Sequence, residues 1–389
     1  MILDVAGSNP VTRPNPLAGN DAAPPLGSGR DAPIVNTSLP SWRTMRYLPS
    51  LTPLRGLAAL FVVMYHLTRA GADPTVPGFF LRGYLGVDLF FILSGFVLTH
   101  VYVHEFLVDL SWRTIGAFLW TRVARLYPVH IFIIGVLVIG HAAHNMSALA
   151  LLANFLLMLV PWSVKALNAP AWSLSAEWYA YLLFPFMIGR LWRCDGRIAA
   201  ALCVALVVGL DLVVAVGFDG NLRHVDSGWA ALARALPEFV IGIFTYRAFS
   251  DRDLARHWRS DVTLAAIAGA MIFTALLPND VAIVALFPPL LLAAVSNTGV
   301  ATRLLNIRPL RWLGDISYSV YLGQALAFSV VATLSATPAG AWLGLTGWRV
   351  LAVAAIFAVA TLTYRAVEVP CRALLRRAPG QLRRLAVRT

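Results

Sequence analysis

The chain has 389 residues, 59% of them hydrophobic and 13% charged, with a mean hydropathy of +0.71. An ordinary soluble domain carries about a quarter charged residues, so this composition excludes a disordered or fibrous protein and points to the bilayer. The formal charge of +12 does not indicate a nucleic-acid partner, because the basic residues are divided among hydrophobic runs instead of gathered on a solvated face.

Residues 1–47 are rich in Pro, Gly, Asn, Asp and Ser with no apolar period, which predicts a disordered cytoplasmic tail without the features of a cleaved signal peptide. Apolar segments then follow near 52–69, 79–103, 128–144, 148–162, 171–191, 198–217, 229–248, 262–278, 281–299, 316–336 and 347–365. Arg-rich loops belong in the cytoplasm, and strict alternation through all eleven segments would put those from Arg190 onward outside. Treating 148–162 as re-entrant or interfacial repairs every later loop, because that segment is short and preceded by His141, His144 and Asn145. The expected fold is an all-α polytopic membrane helical bundle of about ten transmembrane helices over 48–370, with both termini inside. A basic cytoplasmic tail, 371–389, closes the chain. Cys194, Cys203 and Cys371 show neither a disulfide framework nor metal-ligand spacing.

Ionisable residues inside apolar spans are costly and so are functional candidates. In the first span Arg55 and His66 lie eleven residues apart, about three turns, on one helix face roughly 16 Å from each other. The bland alternative is a snorkelling Arg and an unrelated core His. In the second span Asp88 falls at the expected depth of His66, where a carboxylate would orient an imidazole base; its alternative is a packing hydrogen bond beside Gly83, Gly86 and Gly95. Arg122 and Arg125, three apart at the start of the third span, form a phosphate-binding pair or a simple topology anchor. Further on, Glu177 falls in the same layer as His66 and Asp88, with Ser173 one turn above it. Asp211, Glu238 and Asp315 compete as buried acids, and Glu238 has Arg234 one turn before it.

Six motifs in order resemble the acyltransferase-3 family of membrane proteins that O-acetylate bacterial glycans. They are Arg55-x10-His66, Gly-Val-Asp88-Leu-Phe-Phe-Ile-Leu-Ser94-Gly, Arg122-x-x-Arg125-Leu-Tyr-Pro, Trp172-Ser-Leu-Ser-x-Glu177, Ile-Ser317-Tyr318-Ser-x-Tyr321-Leu and Glu368-x-Pro370. The resemblance covers about 50–372 and implies a transmembrane acyltransferase domain with His66 as the key residue. It also implies a cytoplasmic acyl-CoA donor, most simply acetyl-CoA, held by Arg55, Arg122 and Arg125. The implied acceptor is a hydroxyl of a glycan or lipid-linked saccharide at the outer face of the cytoplasmic (inner) membrane, with polysaccharide biosynthesis machinery as a further partner. Two positions depart from the family pattern: Trp178 replaces a second carboxylate, and Gln324 replaces a usual His. The chain ends soon after its last span, so the hydrolase-like domain of some relatives is not expected.

Attack of an alcohol on a thioester needs a base, oxyanion donors and exclusion of water. His66 is the expected base or a transiently acylated nucleophile, oriented by Asp88 or Glu177, with Ser94, Ser173, Ser175 or Tyr318 as oxyanion or acceptor contacts. No bound cofactor or metal is expected. A proton- or solute-coupled transporter is the rival reading, against which stands the lack of an internal repeat, and a structural subunit of an export machine is a third.

Overall fold

The computed structural model describes residues 48–69, 78–140, 143–218, 220–277, 279–335 and 344–376. The N-terminal tail and most of the basic C-terminal tail expected from the sequence lie outside the described residues. In chain order the helices are α1 (Leu51–Arg69), α2 (Gly78–Leu81), α3 (Gly86–Val108), α4 (Trp112–Ile139), α5 (Ala148–Phe155), α6 (Ala171–Leu191), α7 (Gly196–Gly217) and α8 (Gly228–Phe249). They continue as α9 (Arg252–Ala255), α10 (Asp261–Thr274), α11 (Asp280–Val284), α12 (Phe287–Ser296), α13 (Val300–Leu305), α14 (Arg308–Ser335) and α15 (Leu345–Thr363). Among the described residues there is no strand, so the expected all-α class holds.

Among the described residues seven helices are long and apolar enough to cross a membrane: α1, α3, α4, α7, α8, α14 and α15 with its continuation to Arg376. The sequence-based count of ten is therefore not established, and the three other segments fall short for separate reasons. Helix α6 has 21 residues but a more polar composition, including Glu177 and Arg190. Helix α10 has 14 residues, about 21 Å of helix against the ~30 Å of a hydrocarbon core. The segment 280–296 is broken into α11 and α12, where Pro288 and Pro289 lack the N–H groups needed to continue the preceding helix.

The segment 148–162 forms no helix of spanning length, in keeping with the re-entrant or interfacial segment expected. Helix α5 has eight residues and is followed by turns in which Leu157 takes the left-handed backbone conformation, with φ 57°. A branched residue adopts that conformation only when its surroundings hold it. Ser175 does so: its Oγ accepts from the N–H groups of Leu159 and Val160 at 3.0 and 3.2 Å and donates to the Leu157 carbonyl at 2.7 Å. Asn154 staples the rest of the loop through Ala150 O, Lys165 O and the Leu167 N–H.

Helix α3 packs along α8, and α1 along α14. Small residues allow both crossings, since close backbone approach substitutes for a hydrophobic driving force that lipid does not supply. A Cβ at Gly56 would lie 2.6 Å from the Gly314 backbone nitrogen, and one at Gly242 would lie 2.8 Å from that of Phe96. The first contact brings Arg55 to α14, and the second brings Asp88 to α8. At the α3–α4 turn Ser111 caps α4 by accepting from the Thr114 N–H. Hydrogen bonds from Thr114 and then Ser111 hold the Asp109 carboxyl below the usual aspartate range.

Candidate active site

His66 sits in the last turns of α1, half-buried, beside a cavity of about 110 Å3. Its Nδ1 lies 2.9 Å from the Val62 carbonyl oxygen. A carbonyl only accepts, so this contact assigns the ring proton to Nδ1 and leaves the basic lone pair on Nε2. The Tyr65 ring is 5.2 Å from the imidazole and that of Phe328 is 6.3 Å away. Trp172, Arg223, Asp226, Arg234, Tyr84 and Tyr321 are among its other lining residues.

The carboxylates expected to orient His66 are engaged elsewhere. Asp88 is fully buried and receives both Nε (2.8 Å) and Nη2 (2.6 Å) of Arg234. Arg234 is itself 2% exposed, stacks over Trp172 at 5.5 Å, and donates to the carbonyls of Leu222 and Val225. Glu238, one turn along α8, lies 3.9 Å from Arg234 and is its more distant acid. Glu177 accepts from the hydroxyls of Ser94 and Tyr181. His66, Asp88 and Glu177 are thus engaged in different directions: Asp88 faces α8, Glu177 faces α3 and lines a different cavity, and a backbone carbonyl orients His66.

A second, smaller cavity of about 50 Å3 lies toward the other end of α1, with Arg55, Arg125, Glu177, Ser94, Ser173 and Tyr318 among its lining residues. Arg55 is buried and donates to Gly314 O at 2.6 Å and Ser317 Oγ at 2.8 Å, both neutral acceptors. Arg122 and Arg125 diverge, contrary to the side-by-side pair expected from their spacing. Arg125 faces this cavity, whereas Arg122 turns into an aromatic box, 5.5 Å from Tyr102, 5.7 Å from Phe118 and 5.9 Å from Tyr181, with its Nη2 bonded to Tyr102.

The candidate oxyanion donors are mostly committed. Ser94 donates to Glu177, and the Ser173 hydroxyl lies 2.7 Å from that of Tyr321 and 3.0 Å from Pro170 O. Tyr318 donates to Leu126 O at 2.6 Å. Ser175 serves the turn after α5 and lines neither cavity, which removes it from the expected set.

Several site residues were not singled out by sequence reasoning. Tyr321 and Val87 line both cavities and form the partition between them. Glu368 is buried in a π-helical turn, Tyr364–Glu368, a distortion common at functional positions. It accepts from Ser319 at 2.6 Å and from Arg372 at 2.5 Å. The signal for Glu368 was its place in the closing motif; for Arg234 it was the i, i+4 spacing to Glu238, which named the more distant of its two acids. Gln324 donates to its own helix, at Tyr321 O, and Trp178 packs on Tyr127 with ring centroids 5.7 Å apart. Among the described residues no group of three or more His, Cys, Asp or Glu side chains is arranged to hold a metal ion.

The acyltransferase-3 family model, described as an acyltransferase domain, matches residues 48–365. The chain belongs to this family. Acyltransferase MdmB of Streptomyces mycarofaciens is 30% identical over 372 residues, covering 85% of this chain and 93% of that protein. Peptidoglycan O-acetyltransferase OatA of Listeria monocytogenes is 25% identical over 368 residues, 84% of this chain and 56% of that protein. O-acetyltransferase OatA of Staphylococcus aureus is 26% identical over 317 residues, 71% of this chain and 50% of that protein. The chain therefore spans about half the length of the OatA relatives. No solved structure gives a significant match. Several apolar helices of spanning length and this kinship make the chain a multi-pass membrane protein of an acyltransferase family.

Proposed function

We propose that the protein is a membrane O-acyltransferase that moves an acetyl or short acyl group from acyl-CoA to a hydroxyl of an extracytoplasmic glycan or lipid-linked saccharide. The single observation that carries this reading is the pair of cavities along α1: one presents Arg55 and Arg125, the other presents the His66 imidazole with Arg223 and Arg234, and they share the walls Val87 and Tyr321. A guanidinium held by neutral acceptors, as Arg55 is, keeps its charge available to a phosphate-bearing ligand. Arg125 joins it in the same cavity. Charge bias in the sequence supports a cytoplasmic orientation for that end, with the protein in the cytoplasmic membrane and both termini inside.

In this reading the CoA phosphates stay near Arg55 and Arg125, and the pantetheine arm follows α1 over roughly 16 Å past Tyr321. His66 Nε2 accepts the proton of the acceptor hydroxyl while its oxygen attacks the thioester carbonyl; the C–S bond then breaks and the departing thiolate takes a proton. In the covalent variant Nε2 attacks first, and the acyl-imidazole passes its group to the hydroxyl. Both routes end with the same ester and free CoA. Names of the OatA relatives favour a glycan acceptor, and polysaccharide biosynthesis machinery is the matching partner.

Incubating the purified protein with radiolabelled acetyl-CoA and quenching with acid tests the reading. Stimulated loss of the thioester or label on the protein supports it. Intact acetyl-CoA in the presence of bilayer and glycan acceptor would refute it and favour a transporter or structural subunit.

A further inference from the structure

The His66 cavity contains one guanidinium whose charge the fold leaves unused. Arg234 is neutralised by Asp88 behind the wall, and Arg82, on the other side of the α1–α3 contact, is paired with Asp280. Arg223 is different. It is half-buried and lines the cavity, its Nε is buried with no hydrogen-bond partner, and its guanidinium makes no ion pair among the described residues. A buried donor left unpaired is costly, so a native structure that keeps one invites a ligand at that atom.

The turn that carries Arg223 is held with unusual investment. Leu222 N–H donates to Asp280 Oδ2 at 2.8 Å, and Leu222 O accepts from Arg234 at 2.8 Å. Val225 O accepts from the same guanidinium at 3.2 Å, and Asn221 caps the turn by accepting from the Arg223 N–H at 2.8 Å. Two buried charged side chains thus fix the short turn from which the Arg223 side chain enters the cavity. Asp226 also lines the cavity, but it is exposed to solvent, where water screens it, and it makes no ion pair with Arg223 among the described residues.

We propose that Arg223 is the subsite for an anionic group, carboxylate or phosphate, carried by the acceptor saccharide beside the hydroxyl presented to His66. The proposal rests on reading the His66 cavity as the acceptor side. A planar guanidinium offers two parallel donors to either oxyanion, which both anchors the saccharide and selects which hydroxyl reaches the imidazole. The substrate class is then an acidic glycan or a phosphate-linked saccharide, and a neutral or basic sugar is disfavoured.

The test uses the full chain in nanodiscs and five probes: methyl glucoside, methyl glucuronide, glucose 1-phosphate, methyl glucosaminide and glycerol phosphate. Affinities are read by saturation-transfer NMR, and transfer from labelled acetyl-CoA is read separately. The wild type should favour the glucuronide or the sugar phosphate over the glucoside by about tenfold or more. In Arg223→Gln that ratio should fall to within about twofold, with Arg223→Lys between them, since Lys keeps the charge and loses the fork. Added salt should weaken the anionic probes in the wild type and spare the glucoside, a readout that needs no variant to fold. Preference for the glucosaminide, equal binding of glycerol phosphate and glucose 1-phosphate, or an anionic preference that survives Arg223→Gln would overturn the proposal. The glucuronide and the sugar phosphate separate carboxylate from phosphate. Arg223-dependent binding without acetyl transfer would remove the acyltransferase reading alone, whereas transfer without anionic preference would remove this subsite alone.

Discussion

The two ends of α1 treat buried charge in opposite ways. Around His66 the arginines come with acids: Arg234 with Asp88, and Arg82 with Asp280. Around Arg55 the guanidinium is held by a carbonyl and a hydroxyl, and Arg125 faces a cavity. An ion pair that satisfies itself holds helices in place, while a cation held by neutral groups retains its field for something that arrives. The contrast separates residues that build the site from residues that meet a substrate, and it marks Arg223 as the exception at the His66 end.

The largest effect should come from the imidazole itself. His66→Ala is expected to insert and fold yet lose acetyl transfer by about 10²–10⁴-fold, measured per folded molecule. Near-normal transfer by well-folded His66→Ala protein would return this end of α1 to a purely structural role and dissolve the comparison.

The paired end should break by unfolding instead of by loss of chemistry. Arg234→Met strands Asp88 in the interior and should cost about 3–5 kcal/mol, read as a lowered melting temperature in detergent. Adding Asp88→Leu should recover most of that loss, because the desolvated partner has gone. If the double variant is no more stable than the single one, the pair is not the structural unit described here.

The unpaired end should lose binding. Arg125→Ala is expected to weaken acyl-CoA binding about tenfold or more and Arg125→Lys by less, by calorimetry. Arg122→Ala should chiefly lower stability, since its guanidinium fills the aromatic box of Tyr102, Phe118 and Tyr181. Equal losses of CoA affinity in both alanine variants would restore the side-by-side pair that the sequence suggested.

The smallest effect belongs to neither end. Ser111→Ala removes the α4 cap and should cost about 1 kcal/mol with no change in CoA affinity. Asp109 in the same turn is held below its ordinary range, so its contribution is present at neutral pH and is lost as the pH falls through its folded value. A melting temperature that drops on acidification in the wild type and less in Asp109→Asn would confirm the sign.

Composition pointed to the bilayer, because 59% hydrophobic residues exceed what a soluble surface can cover, and the length of the apolar runs pointed to helices. Local length and polarity determined that 148–162 would form no spanning helix, and helical periodicity put Arg55 and His66 on one face. These are properties of a single segment and are readable from it. The number of spanning helices was less legible, since Pro288 and Pro289 break a run that hydropathy reads as continuous.

Partnership was decided only in three dimensions. Asp88 and Arg234 are 146 residues apart, and Arg55 and Ser317 are 262 apart. Depth along a single helix follows from residue number, which is how the sequence separates Arg55 from His66 by about three turns. The direction of each side chain depends on how each helix is rotated against its neighbours, and that rotation is fixed by contacts such as those at Gly56–Gly314 and Gly242–Phe96. No periodicity within one helix carries that information.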